Sequence, residues 1–303
     1  VTVVLAFVAN ILVAIAKSVA AALTGSASLL AEAAHSWADA GNEIFLLIAD
    51  RAPTRRRDGA HPMGYGRDAY IWSLFAAVGV FTAGAVVSVM HGVQSLFEEE
   101  SDTDYTIGYV VLAVSFVLEG ASLTQSLLQV RRDAKRYRRE PLDYVVNSSN
   151  TTLRAVVAED SAALIGLVLA FLGILLHQLT GQPVWDALGS IAIGVLLGGV
   201  ALVLINRNRR FLLGAEPPAG VRDAVGRRLL ERAEVTRVTY LRLEFVGPAQ
   251  LFLVAAVDLL GDPAESQVAE ELRTLSAAVE ESELIVTAIF TPSMPGDESL
   301  VFG

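Results

Sequence analysis

The sequence predicts an α-helical polytopic membrane domain with six transmembrane helices, followed by a small cytoplasmic α+β domain of order α-β-β-α-β. Three observations carry that expectation. Of the 303 residues, 53% are hydrophobic and only 18% charged, with a mean hydropathy of +0.50, which is too apolar for an ordinary soluble chain of this length. The charges gather in short blocks between long apolar runs and become frequent only after about residue 206. Beyond Phe211 the long runs give way to short alternating ones, so the membrane domain is placed at residues 1–210 and the soluble domain at 211–303.

A helix needs about 20 predominantly apolar residues to cross the hydrocarbon layer. Six segments qualify: Thr2–Thr24, Ser28–Leu47, Ala69–Phe97, Tyr105–Val130, Val156–Leu179 and Val184–Ile205. The third and fourth are long enough to tilt or to run past the bilayer. "RAPTRRRDGAHPMGYGR" follows the second segment, "RRDAKRYRRE" the fourth and "NRNRR" the sixth, whereas the opposite side holds "TGSAS", the acidic "EEESDTD" and "TGQPVW". By the positive-inside rule the Arg-rich side and both termini are cytoplasmic, in a multi-pass protein of the cell (inner or plasma) membrane. Val1 opens directly on an apolar run without an initiator Met, so a short preceding segment is expected to be omitted from the numbering. That run is too long and too well integrated to be a cleaved signal peptide.

In the soluble domain "PPAGVRDAVGRRLLERA" starts with Pro and reads as a helix. "VTRVTYLRLEFV" and "LFLVAAVDLL" alternate like strands around the turn "GPAQ". "AESQVAEELRTLSAAVEE" places Val268, Leu272, Leu275 and Val279 at helical spacing, and "LIVTAIFT" is a third strand. The result is an open-faced, ferredoxin-like α+β sandwich. A domain this small gains from pairing with a copy of itself, so a homodimer is expected. It contains no His, and a regulatory metal site there would have to rest on carboxylates such as Asp258.

Several function classes are excluded. The chain has no Cys, which removes disulfides, thiolate metal sites and cysteine nucleophiles. A net charge of -10 and Arg clusters without interleaved aromatics argue against nucleic acid as a partner; the clusters set topology and touch lipid head groups of the bilayer.

The second segment, oily enough to span, nevertheless carries Glu32, His35, Asp39 and Glu43. His35 and Asp39 share one helix face, a turn apart. Counting about 1.5 Å per residue inward from Ser26, Asp39 lies roughly 20 Å down the helix, and Asp160 reaches a comparable depth in the fifth segment if that helix begins near Asn150. Ionised groups at that depth cost several kcal/mol unless they face each other or water. A divalent cation satisfies them together: one imidazole and two carboxylates form a three-ligand set for Zn²⁺, with Co²⁺ next and Mg²⁺ or Ca²⁺ disfavoured by the histidine.

Glu32 lies one turn outward from His35 and Glu43 one turn inward from Asp39; each is a candidate additional ligand or relay. Glu159 adjoins Asp160 but points about 100° away and is at least as well placed to pair with another helix. Asn10 and Lys17 in the first segment are expected as hydrogen-bond and ion-pair partners, Lys17 for Glu32. His91 and His177 are expected as interfacial histidines, and His61 either recruits metal or packs its loop.

A HxxxD in the second span, an intramembrane Asp in the fifth, the loop "HPMGYGR", the segments "TGSASLLAEAAHSWAD" and "WDALGSIAIGVLL", and the terminal α-β-β-α-β domain together resemble the cation diffusion facilitators over essentially the whole chain. "EPLDYVVNSSNTTLRAVVAEDSAALIG" is most similar to the branch that contains human zinc transporter nine. The resemblance implies a homodimer that exchanges Zn²⁺ or a related divalent ion for protons by alternating access, with a metallochaperone-like cytoplasmic domain. It implies His35, Asp39 and Asp160 as ligands. Val156 departs from the pattern, because most zinc-transporting members carry His or Asp there, and Ala69 stands where a Glu is frequent.

The expected activity is therefore export of zinc, or of cobalt or another transition metal, as a metal/proton antiporter with no prosthetic group. Protons displace metal by competing for shared ligands, with His35 as carrier at an ordinary imidazole pKa of about 6.5. A Mn²⁺ or Fe²⁺ transporter of the same architecture is the alternative. A membrane metal sensor lacks imidazole ligands in its soluble domain. An intramembrane metalloenzyme lacks a HExxH-type pairing, so no enzymatic activity is expected.

Overall fold

The computed structural model describes residues 2–55, 57–97, 104–136, 140–261 and 264–302. Most of the acidic "EEESDTD" loop, residues 137–139 of the second Arg-rich block and Arg56 of the first lie outside them. The chain forms two compact units: residues 1–51 with 71–208, and residues 52–70 with 209–303.

The first unit is all helical: α1 (Thr2–Thr24), α2 (Ala27–Arg51), α3 (Asp68–Phe75, its first residues belonging to the second unit), α4 (Thr82–Ser95), α5 (Thr106–Arg136), α6 (Pro141–Asn147), α7 (Thr151–Thr180) and α8 (Val184–Leu212, its end likewise in the second unit). A π-helical turn, Ala76–Phe81, joins α3 to α4 without a break in the rod. Among the described residues, four helices are long and apolar enough to cross a membrane: Asp68–Ser95, Thr106–Lys135, Thr151–Thr180 and Val184–Leu212. α1 adds the shorter apolar stretch Asn10–Thr24, and α2, one unbroken helix, carries Glu32, His35, Asp39 and Glu43 along its length.

The helices overrun the sequence-based bounds mainly at their Arg-rich ends. Hydropathy finds the oily part of a helix, whereas its hydrogen bonds continue into polar residues. α7 begins at Thr151 because the Asn150 side chain accepts the Leu153 N–H at 3.0 Å, and it ends where Gly181, at φ 69°, turns its N–H to the His177 carbonyl.

The unit's polarity is inverted relative to a soluble bundle. Val117 and Leu202 are 69% and 70% exposed, while Lys17, Glu32 and His35 are fully buried. Apolar side chains outside and charge within is the arrangement a bilayer demands. The core is built from small residues, among them Ala20, Ala31, Ala77 and Ala170, packed with Leu29, Phe81, Leu167 and Leu197. A Cβ on Gly194 would stand 2.9 Å from the Ala85 carbonyl, so α4 and α8 meet almost backbone to backbone.

In the second unit the order α9 (Ala219–Leu230), β1 (Val235–Gly247), β2 (Gln250–Leu259), α10 (Glu265–Glu280), β3 (Ile285–Pro292) matches the sequence expectation. The sheet runs β1-β2-β3, antiparallel between β1 and β2 and parallel between β2 and β3. Alternate β2 residues Leu251, Leu253, Ala255, Val257 and Leu259 face the core, where Leu229 of α9 and Leu275 and Val279 of α10 cover them. Asp258 is occupied by Arg237, whose Nε lies 2.7 Å away.

The segment 52–70 belongs to this unit. Arg57 donates to the Val286 carbonyl and to Thr287 Oγ1, Arg67 pairs with Glu244 at 2.6 Å, and Gln250 donates to the Pro53 carbonyl. Gly66 is glycine for space, since any Cβ there would enter the Val246–Gly247 backbone. Within the segment the Asp58 carboxylate accepts from the Tyr65 hydroxyl at 2.5 Å and from the Ala60 and His61 N–H groups. His61 stacks on Tyr65 with ring centroids 4.0 Å apart, so it packs the loop.

Candidate metal centre

The polar stripe of α2 follows helical spacing: Glu32, His35 and Ser36, Asp39, Asn42 and Glu43 recur every three or four residues and thus share a face. Its start is held by α8. Asp186 accepts from Ser26 Oγ at 2.8 Å and from the Ala27 and Ser28 N–H groups at 2.6 and 3.2 Å, and its carbonyl accepts from Ser28 Oγ at 2.7 Å. A buried carboxylate on the positive end of a helix fixes where the stripe begins.

Down the stripe the residues meet side chains of α1 and α7. Glu32 Oε2 takes Lys17 Nζ of α1 at 2.9 Å, as the sequence reading expected, and its Oε1 has no hydrogen-bond partner among the described residues. His35 is fully buried, and neither ring nitrogen has a hydrogen-bond partner among the described residues; its Nδ1 lies 3.3 Å from Asp39 Oδ1, close but not aligned for a hydrogen bond. Asn42 Nδ2 donates to Glu159 Oε2 of α7 at 2.6 Å, and Asp39 is within hydrogen-bonding reach of the same Glu159. Glu43 is bonded by Asn10 of α1.

The α7 carboxylates therefore divide their work. Glu159 is the one turned to α2, and Asp160 is turned to α5, where Ser122 and Ser126 donate to its Oδ2 at 3.0 and 3.2 Å. The 100° step between consecutive helical residues sends the two in different directions. Among the described residues no three His, Asp or Glu side chains converge closely enough to hold an ion together. What one face of α2 does carry is a run of six residues with buried polar atoms that have no hydrogen-bond partner among the described residues: Glu32 Oε1, both His35 ring nitrogens, Ser36 Oγ, Asp39 Oδ1, Asn42 Oδ1 and Glu43 Oε2. Buried polar atoms without partners are costly, and six such residues on one stripe mark a place built for something that is not protein.

Besides Asp186, two residues of this region give little signal in the sequence. Glu119 of α5 is half-buried and acts electrostatically on Lys17, Asp39, Glu159 and Asp160. Its only signal was one acid in an apolar run, with Ser122 and Ser126 following at helical spacing. Asn42 was overlooked as uncharged. At the far end His177 is buried against Tyr105, whose hydroxyl is 3.2 Å from Nδ1, a packed pair.

Residues 3–213 match the family model described as the cation efflux transmembrane domain. Metal tolerance protein C4 of Arabidopsis thaliana is 34% identical over 233 residues, which cover 77% of this chain and 51% of that protein. The human protein named proton-coupled zinc antiporter SLC30A9, mitochondrial, is 37% identical over 191 residues, 63% of this chain and 34% of its own length. Magnetosome protein MamB of Magnetospira sp. (strain QH-2) is 26% identical over 201 residues, 66% of this chain and 62% of its own. The match thus spans about half of the plant protein and a third of the human one.

Proposed function

The chain belongs to the cation efflux family, a family of transporters and not of enzymes, and on that premise we propose that it exports Zn²⁺ from the cytoplasm in exchange for protons. Six helices span the cell membrane in this reading: α1, α2, the α3–α4 rod, α5, α7 and α8. Both termini and the soluble domain 211–303 lie on the Arg-rich, cytoplasmic side, and the working form is a homodimer.

The observation that carries the proposal is His35, fully buried, with no hydrogen-bond partner for either ring nitrogen among the described residues and Nδ1 3.3 Å from Asp39. An imidazole beside a carboxylate, otherwise unpartnered, matches the ligand preferences of Zn²⁺, and of Co²⁺ after it, better than those of Mn²⁺ or Mg²⁺. Asp160 completes the set by leaving its two serines. Glu159, Glu32 and Glu43 serve as further ligands or relays. Metal and protons compete for the same lone pairs, so protons arriving from the more acidic side release the ion, and rocking of helices exposes the site alternately. The human relative's name describes a proton-coupled zinc antiporter, which supports the same reading here.

Zinc uptake into proteoliposomes under an imposed pH gradient tests it, comparing the parent with Asp39→Ala and Asp160→Ala and offering Mn²⁺ as competitor. Gradient-dependent zinc flux in the parent, lost in both variants, is expected. Flux indifferent to the gradient overturns the exchange, and parent-like flux in either variant overturns the ligand set in favour of Glu159 or Glu32.

A further inference from the structure

Lys17 is the one cation among the described side chains at the level of the α2 stripe. It is fully buried, its Nζ is 2.9 Å from Glu32 Oε2, and its charge is felt by His35, Asp39 and Glu119 as well. An ion pair buried this deeply is weak evidence for stability, because two charges must be stripped of water to make it, and a pair of apolar residues would often serve the fold as well. The pair is also left incomplete: Glu32 Oε1 is buried and unbonded, pressed against Gly166, where a Cβ would stand only 2.3 Å from it. One turn on, His35 presents two more unbonded atoms. A carboxylate with one oxygen held by an ammonium on a long, unbranched side chain and the other without a hydrogen-bond partner is half of a coordination site.

We infer that Glu32 is a metal-accepting station one turn from His35 and that Lys17 is a tethered cation occupying it whenever metal is absent. The inference rests on the zinc-export reading above. The step forms and breaks no covalent bond: the incoming divalent ion displaces the ammonium from the Glu32 oxygens, the ammonium swings off with its proton, and it returns when the ion leaves. A cation on a tether is a competitor at fixed, high local concentration, so it weakens apparent metal affinity and hastens release. Glycine at 166 leaves room for the carboxylate to turn between its two partners.

The test uses the full chain in proteoliposomes and reads KM and kcat for zinc. Arg at position 17 keeps a cation beside Glu32 but grips both carboxylate oxygens with a planar fork. Lys17→Arg is therefore expected to raise KM about fivefold or more with kcat retained, an effect of about 1 kcal/mol in competition. Lys17→Gln, which removes the competitor, is expected to lower KM and kcat together, and Lys17→Gln with Glu32→Gln to return KM to near the parent value. A folded Lys17→Arg variant whose KM equals the parent's overturns the inference, as does a Lys17→Gln variant that loses flux at unchanged KM. Absence of zinc flux in the parent itself instead removes the export reading on which both stand.

Discussion

Asn42 donates to Glu159 across the α2–α7 boundary at 2.6 Å, while its own Oδ1 is buried with no hydrogen-bond partner among the described residues. The contact makes Asn42 the side chain that aims Glu159 at Asp39. Replacing Asn42 by Ala leaves a buried carboxylate short of its donor, at a cost of about 1–3 kcal/mol. The thermal midpoint in detergent is expected to fall accordingly, and Asn42→Ser, which keeps a donor, to recover part of it.

The Asp186 carboxylate is the N-terminal cap of α2 supplied by another helix. Asp186→Ala is expected to destabilise the chain by about 1–2 kcal/mol and Asp186→Asn by less, since the amide keeps one acceptor. Hydrogen exchange checks the cause: the amides of Ala27 and Ser28 should lose protection before those in the middle of α2.

Gly189 faces Ser28 so closely that a Cβ would lie 2.5 Å from its Oγ, with the Leu169 carbonyl at 3.3 Å. Gly189→Ala should cost about 1–3 kcal/mol in overpacking. Adding Ser28→Ala removes the nearest atom, so the double variant is expected to be more stable than the sum of the two singles. Simple additivity in thermal melts would mean that the helices yield elsewhere.

Asp58 titrates outside the membrane segments. The Tyr65 hydroxyl, followed by the His61 N–H, holds its carboxyl down at about 2. An unfolded aspartate has a pKa of about 4. Because the folded value is the lower one, the loop gains its full support from Asp58 above about pH 4 and loses it as the pH falls toward 2. Protection of the Ala60 and His61 amides is expected to persist from neutral pH to about 4 and then decline. In Asp58→Asn it should be reduced throughout, with no such step.

Much of this was legible because period and charge are local properties. Alternation in "LFLVAAVDLL" and the spacing of Leu275 and Val279 announce a sheet and the helix that covers it, and both were found. A lysine and an acid in adjoining apolar helices have few partners but each other, which is why Lys17 and Glu32 could be paired from sequence. Directions around a helix axis were harder to read. That Glu159 faces α2 and Asp160 faces α5 depends on the rotation of α7 about its own axis, which a helix of nearly uniform oiliness does not encode. Asp186 and Asn42 escaped for another reason, since their partners are a backbone terminus and a single carboxylate that only the fold brings near.

The second unit is assembled from two stretches of chain, 52–70 and 209–303, with about 140 residues of the first unit between them. The earlier stretch is therefore synthesised well before the strands that hold Arg57 and Arg67 exist. At ordinary elongation rates it waits about ten seconds or more. During that interval the tight Asp58–Tyr65 turn is what the segment can make from its own residues. A truncation that ends the chain near Arg209 would leave the segment permanently in its nascent form, and the fragment 209–303 made alone would lack the piece that fills the space beside Gly247.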